Sequence, residues 1–194
     1  MKAAIAGLAA AVGYLLGSIS FARIVTWLVE PGRRVERLEV SVPDTDVSFE
    51  SDVVSATTVR LQLGTKYGCL TSILDMLKAA IPAIVLRYGY PDAPYHLIAA
   101  GMATVGHIWP VYYRFRGGRG MSPILGGMLA TDPLGVLISH LVASIIGIPL
   151  KNTLISVGGG IGLMIPWLAF RTRSLASVLY ALTMNVLFWY AMRP

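Results

Sequence analysis

The chain has 194 residues, of which 55% are hydrophobic and only 13% charged, with a formal net charge of +6 and a mean hydropathy of +0.66. A soluble domain carries about a quarter charged residues, so the composition excludes an ordinary soluble globule and predicts an integral membrane protein. In so apolar a chain the positive balance reads as loops facing anionic lipid, not as a nucleic-acid surface, and the single Cys69 excludes an intrachain disulfide.

Apolar segments fall, in order, at about 3–29, 67–90, 94–113, 120–131, 133–150, 152–170 and 174–192. The first is uncharged from Ala3 to Ala22, about the length that crosses a bilayer, and so is read as a helix that is kept, not as a cleaved signal. The fourth is too short to cross alone and predicts a half-helix or a tilted one completed by its neighbours. Glycines 158, 159, 160 and 162 predict close helix packing in the sixth. The pattern is an all-α, polytopic transmembrane bundle of about seven membrane segments, forming one domain over 1–194. With the N-terminus outside, Arg33, Arg34, Arg37, Arg60, Lys66, Arg114, Arg116, Arg119, Lys151 and Arg193 fall on the cytoplasmic side. Lys2, Arg87, Arg171 and Arg173 stay outside. That asymmetry predicts N-out and C-in.

The one long polar interval, 30–66, holds seven of the ten acids. Pro43 and its neighbouring Asp residues predict turns. Residues 55–63 predict a short interfacial helix stopped by Gly64.

Three stretches carry chemistry. Gly106 to Ser122 ends an apolar run in Arg114, Arg116 and Arg119, interleaved with Gly117, Gly118 and Gly120. Guanidinium forks suit phosphate, glycines bring backbone N–H groups close to a ligand, and the helix expected to start at Met121 offers its N-terminus to an anion. The plainer reading is a basic cytoplasmic loop that sets orientation, but orientation requires no glycines. Asp75 and Lys78, three apart within the second segment, share a helical face and can pair with each other. The plainer reading is a mutual ion pair close to the cytoplasmic end, but ionisable residues at membrane depth predict function. Gly17-Ser18-Ile19-Ser20-Phe21 reads as small packing residues at the end of the first helix. His107 is either a donor to the glycine loop or substrate, or a buried structural histidine. His96 and His140 have no metal-ligand spacing.

These stretches resemble the bacterial membrane acyltransferases that use acyl-phosphate to acylate glycerol 3-phosphate. Gly106, His107, Pro110, Phe115, Gly117, Gly118 and Gly120 match the family's G-H-x-F-P-x-F-x-x-F-x-G-G-K-G, with Trp109 for a Phe and Arg119 for the Lys. Residues 17–21 are similar to G-S-I-P-F, with Ser20 for the proline, and Leu74, Asp75 and Lys78 fit L-L-D-x-x-K-G. Ser51, Ala56, Thr57, Val59, Leu63, Gly64, Lys66 and Gly68 fit the family's phosphate loop. There Glu50 and Asp52 replace glycines, Ser55 replaces a third, Val53 and Thr58 replace asparagines, and Arg60 lies one residue before the arginine position. The family's closing H-R-x-N has no counterpart; Arg171-Thr172-Arg173 only echoes it.

The resemblance implies transfer of a fatty acyl group from acyl-phosphate to the 1-hydroxyl of glycerol 3-phosphate, without cofactor or metal, by a monomer in the bacterial cytoplasmic membrane. It implies catalytic roles for Ser51, Thr57, His107 and Arg119. It implies substrate or phosphate binding by Arg60, Asp75, Lys78, Arg116, Gly117, Gly118, Gly120 and Ser122, with Lys78, Arg60 and Ser51 holding the second anionic group. Acyl chains would enter sideways from the bilayer. The alternative reading is a non-catalytic relative that binds lipid phosphates.

Overall fold

The computed structural model describes residues 2–33, 35, 38–41, 48–51 and 53–193, with only the backbone pairing described for 38–41 and 48–51. The turns expected around Pro43, and Arg34, Arg37 and Asp52, lie outside the described residues.

The first apolar segment was expected as one helix and comes as two, α1 (Lys2–Gly17) and α2 (Phe21–Val29). Short hydroxyl side chains cause the interruption by competing for the backbone. Ser18 Oγ donates to the Tyr14 carbonyl at 2.8 Å and accepts the Val111 N–H at 3.3 Å, while Ser20 takes an extended conformation ahead of α2. The Ile19 carbonyl freed by the break accepts a hydrogen bond from Lys78 Nζ at 2.6 Å. At membrane depth a freed carbonyl needs such an internal partner.

A two-stranded antiparallel hairpin follows, β1 (Leu38–Ser41) against β2 (Ser48–Ser51), with Leu38 opposite Ser51 and Ser41 opposite Ser48. The fold is otherwise helical, as expected; this short pair was not foreseen because four residues of alternation are too few to read as a strand. The expected interfacial helix is α3 (Ala56–Leu63), stopped at Gly64, whose φ of 95° suits glycine. Then come α4 (Thr65–Gly89), α5 (Tyr95–Ile108), a single 3-10 turn at Val111–Tyr113, α6 (Met121–Thr131), α7 (Pro133–Gly147), α8 (Thr153–Thr172) and α9 (Leu175–Ala191).

Small residues decide which helices touch. Gly13 and Gly17 of α1 lie directly on the backbone of Ala99 and Ala103 in α5, and Gly106 lies on the Tyr14 carbonyl, leaving no room for a Cβ. Gly126 sits equally close to the Met76 backbone, which seats α6 beside α4. At 11 residues, about 16 Å long, α6 is the short helix expected of the fourth segment. Its Ile124 and Met128 are fully buried, in a core shared with Ile161, Met164, Leu168, Met184 and Phe188. A smaller cluster of Ala22, Val25, Val35, Val54 and Val59 joins α2 and α3 to the start of α4.

The outward faces are apolar. Leu70, Ile73, Leu77, Ile81 and Val85 line the exposed side of α4, and Leu137, Leu141 and Ile145 that of α7. An apolar exterior of this extent belongs against lipid. Among the described residues, three stretches are long and apolar enough to cross a membrane by length and composition: Lys2–Val29 (through its break), Thr65–Gly89 and Thr153–Thr172.

The assembly has two polar ends. At one, Asp132 between α6 and α7 accepts from the Gly135 N–H at 2.9 Å and from Trp167 Nε1 at 3.3 Å, and pairs with Arg171 Nε at 2.6 Å. Arg87 Nη1 donates to the Ala130 and Thr131 carbonyls that end α6, at 2.6 and 2.7 Å. The other end holds the candidate site.

Candidate active site

A cavity of about 240 Å³ opens where the N-termini of α3 and α6 meet one face of α4 and the end of α5. Its walls include Ser55, Thr57, Ser72, Asp75, His107, Arg119 and Ser122. Ser55, extended at φ −142°, caps α3 by accepting the Thr58 N–H at 3.3 Å, and Thr58 Oγ1 donates to the Val53 carbonyl at 2.6 Å. At α6 the preceding residue is Gly120, with φ 77° and no side chain to cap the helix. Two helix N-termini therefore face one cavity, each carrying partial positive charge, and Arg119 is one of its lining residues.

On α4, Ser72, Asp75 and Lys78 follow one another at intervals of three and so share a face. Ser72 Oγ meets Ser122 Oγ at 3.0 Å, fixing α6 in register. Asp75 and Lys78 are buried and paired, Oδ1 to Nζ at 2.7 Å, and Lys78 Nζ lies 2.9 Å from His107 Nδ1. His107 Nδ1 is also 3.5 Å from Asp75 Oδ1. Asp75 and His107 reach the cavity wall, whereas Lys78 lies behind them.

Two glycines of the arginine loop, Gly117 and Gly118, lie in close contact with His107. The Gly118 N–H donates to the His107 carbonyl at 3.1 Å. A Cβ at Gly118 would strike the His107 ring at Nε2 and the Val54 carbonyl, and one at Gly117 would strike the His107 carbonyl and the Pro110 ring. Arg114 and Phe115 take left-handed conformations, at φ 52° and 61°, to turn the chain back. Arg23 Nη2 donates to the Arg116 carbonyl at 3.0 Å, and its guanidinium lies 4.3 Å from the centre of the Tyr113 ring.

The structure thus brings Thr57, Asp75, His107, Arg119, Gly120 and Ser122 to one cavity. Gly117 and Gly118 form the support behind it. Two expected anchors are placed elsewhere among the described residues. Arg60 is exposed, its Cβ packed on Gly68 at the elbow between α3 and α4, and Arg116 is exposed with its backbone held by Arg23. Lys78, expected as a phosphate ligand, donates to the Ile19 carbonyl, contacts His107 Nδ1 and is ion-paired with Asp75, and it is not among the residues that line the cavity. Ser51 is in β2, and its side chain is outside the described residues. Sequence reasoning missed Ser72, whose spacing of three from Asp75 was the available signal. It also read Ser55 as a lost glycine and as the first residue of the interfacial helix, not as the cap of α3. Among the described residues, no three His, Cys, Asp or Glu side chains gather as a metal site.

The family model described as Glycerol-3-phosphate acyltransferase matches residues 46–194. The chain belongs to the glycerol-3-phosphate acyltransferase family. A family relative from Aquifex aeolicus is 37% identical over 130 residues, 66% of this chain and 61% of its own. One from Myxococcus xanthus is 34% identical over 131 residues, 67% and 62% of the two chains. The chain thus spans about three fifths of the length of these two curated relatives. One from Dehalococcoides mccartyi strain CBDB1 is 31% identical over 80% of this chain and 74% of its own. The fold is similar to the crystal structure of PlsY, an integral membrane glycerol 3-phosphate acyltransferase, in its glycerol 3-phosphate form. That likeness has a TM-score of 0.80 at 27% identity, covering 95% of this chain and 86% of the other. The lysophosphatidic acid form gives 0.75 at 29% identity, covering 97% and 88%. With its apolar exterior, this family member is a bacterial membrane protein.

Proposed function

We propose that the chain transfers a fatty acyl group from acyl-phosphate to the 1-hydroxyl of glycerol 3-phosphate, forming lysophosphatidic acid. The hydroxyl oxygen attacks the acyl carbonyl, the carbonyl carbon–phosphate oxygen bond breaks, and inorganic phosphate leaves with the proton. The observation that carries this reading is the convergence of two helix N-termini and Arg119 on one cavity beside a carboxylate. Both substrates are phosphate esters or anhydrides, so the site must hold two anionic groups and one hydroxyl.

Arg119, with the N–H groups at the start of α6 and Ser122, grips one phosphate. Thr57, with the N-terminus of α3, receives the other. Asp75 accepts a hydrogen bond from a glycerol hydroxyl, and its pairing with Lys78 keeps an uncompensated negative charge away from the phosphates. Catalysis then rests on positioning and on donors aimed at the developing charge. An apolar groove of about 450 Å³ between α4, α6 and α7 supports a path for the acyl chain from the bilayer. It starts at Met76, next to Asp75, and follows Leu125 and Leu129 along α6, with Val136, Leu137 and Leu141 opposite.

The same reading sets the chain in the bacterial cytoplasmic membrane as a monomer with seven spans, N-out and C-in, and the cavity at the inner leaflet. The ten-to-four basic asymmetry supports that orientation. So does the pairing of Arg171 with Asp132 at the end where Arg87 binds α6, opposite the loop of Arg114, Arg116 and Arg119.

The test is turnover. Purified protein given palmitoyl-phosphate and glycerol 3-phosphate releases inorganic phosphate, and Arg119→Ala abolishes release. A wild-type chain that binds both substrates yet never turns over would establish the non-catalytic alternative.

A further inference from the structure

Lys78 is buried and held by three separate parts of the chain. An ammonium has three N–H groups and no lone pair. Its partners here are the Ile19 carbonyl at 2.6 Å and His107 Nδ1 at 2.9 Å through hydrogen bonds, and Asp75 Oδ1 at 2.7 Å as an ion pair. They belong to three separate parts of the chain: the break between α1 and α2, the body of α4, and the end of α5. The Phe21 ring, its centre 5.8 Å away, closes over the group. Lys78 is not among the residues that line the cavity.

The contact with His107 has a chemical consequence. A nitrogen that accepts from an ammonium carries a lone pair, so the proton of the neutral imidazole sits on Nε2. That is the edge against which the Gly118 backbone lies. His107 in turn holds the loop through its own carbonyl and the Gly118 N–H, and Arg119 is the next residue.

We infer that Lys78 is a positioning residue for this site. It fixes His107 as the Nε2–H tautomer and ties the α1–α2 break to the glycine loop, so that Arg119 is aimed at the cavity while Lys78 touches no substrate. The tautomer part stands on geometry alone, and the consequence for turnover rests on the acyl-transfer reading.

The experiment uses the full chain in lipid nanodiscs with 15N-labelled histidine, the His107 signals being those lost in His107→Gln. In wild type, Nδ1 is unprotonated and Nε2 protonated, and neither inorganic phosphate nor glycerol 3-phosphate changes this. In Lys78→Met the proton moves to Nδ1, which faces Asp75 Oδ1 at 3.5 Å. Turnover of Lys78→Met falls about a hundredfold, the scale of a misplaced reacting group, while KM for glycerol 3-phosphate stays within about twofold. If Lys78→Met fails to fold, Asp75→Leu/Lys78→Met removes both buried charges together, and His107 then shows both tautomers.

A protonated Nδ1 in wild type overturns the inference. So does a Lys78→Met enzyme whose KM rises about tenfold or more with kcat intact, the signature of a lost binding contact. An inactive wild type that still shows the Nε2–H state contradicts the acyl-transfer reading and leaves this tautomer assignment standing.

Discussion

The two polar ends of the bundle use the same residue types to opposite effect. Far from the cavity, Asp132, Arg171, Trp167 and Arg87 close on one another and on helix ends: the carboxylate caps α7 and binds two side chains, and Arg87 caps the carbonyls of α6. Beside the cavity, the N-terminus of α6 has no side-chain cap, and Arg119 stands exposed next to it. Charge satisfied within the protein holds helices together, whereas donors gathered around a void are arranged for something that arrives. The Asp75–Lys78–His107 group stands between these cases, closed on itself yet forming part of the wall.

The sharpest way to break the comparison is Gly118→Ala. Its Cβ has no space between the His107 ring and the Val54 carbonyl, and overpacking against backbone costs about 1–3 kcal/mol. The loop shifts instead, and acyl transfer falls about a hundredfold or more while circular dichroism still reports a folded helical protein. Wild-type turnover would show that the loop does not depend on this contact. Next in size is Asp132→Ala, which removes a helix cap and the partner of Arg171. Thermal unfolding should show a loss of about 2 kcal/mol, with KM for glycerol 3-phosphate unchanged. A changed KM would mean that the two ends are coupled.

Ser55→Ala removes the cap of α3 and should cost about 1 kcal/mol, and because α3 also lines the cavity it should raise KM as well, unlike Asp132→Ala. Salt has the smallest effect. Raising ionic strength from 0.1 to 1 M shortens the screening length from about 10 to about 3 Å. Glycerol 3-phosphate affinity should fall severalfold while the unfolding temperature changes little, because the Asp75–Lys78 pair is buried and the exposed Arg33–Glu30 pair contributes little.

The seven apolar segments were legible because hydropathy is a property of long windows, and each contains helix in the structure. The break at residues 18–20 was not, since two serines leave hydropathy nearly unchanged and Ser18 acts only through hydrogen bonds to Tyr14 and Val111. The glycine-arginine loop was recognisable by pattern. The reason for its glycines was hidden, because it lies in a contact with His107, which precedes the loop by a whole turn of chain. Lys78 shows the limit most clearly. Spacing revealed its pairing with Asp75, but its bonds to Ile19 and His107 join residues 59 and 29 positions away, and no local pattern encodes them.

The claim that the cavity is built to hold phosphate is tested most directly by calorimetric titration of glycerol 3-phosphate into wild type, Arg119→Ala and Arg171→Ala. A charge-assisted hydrogen bond contributes about 1.5–3 kcal/mol, so Arg119→Ala should weaken binding by at least about tenfold, and Arg171→Ala should bind as wild type does. Equal affinity in wild type and Arg119→Ala, or an equal loss in Arg171→Ala, would contradict it.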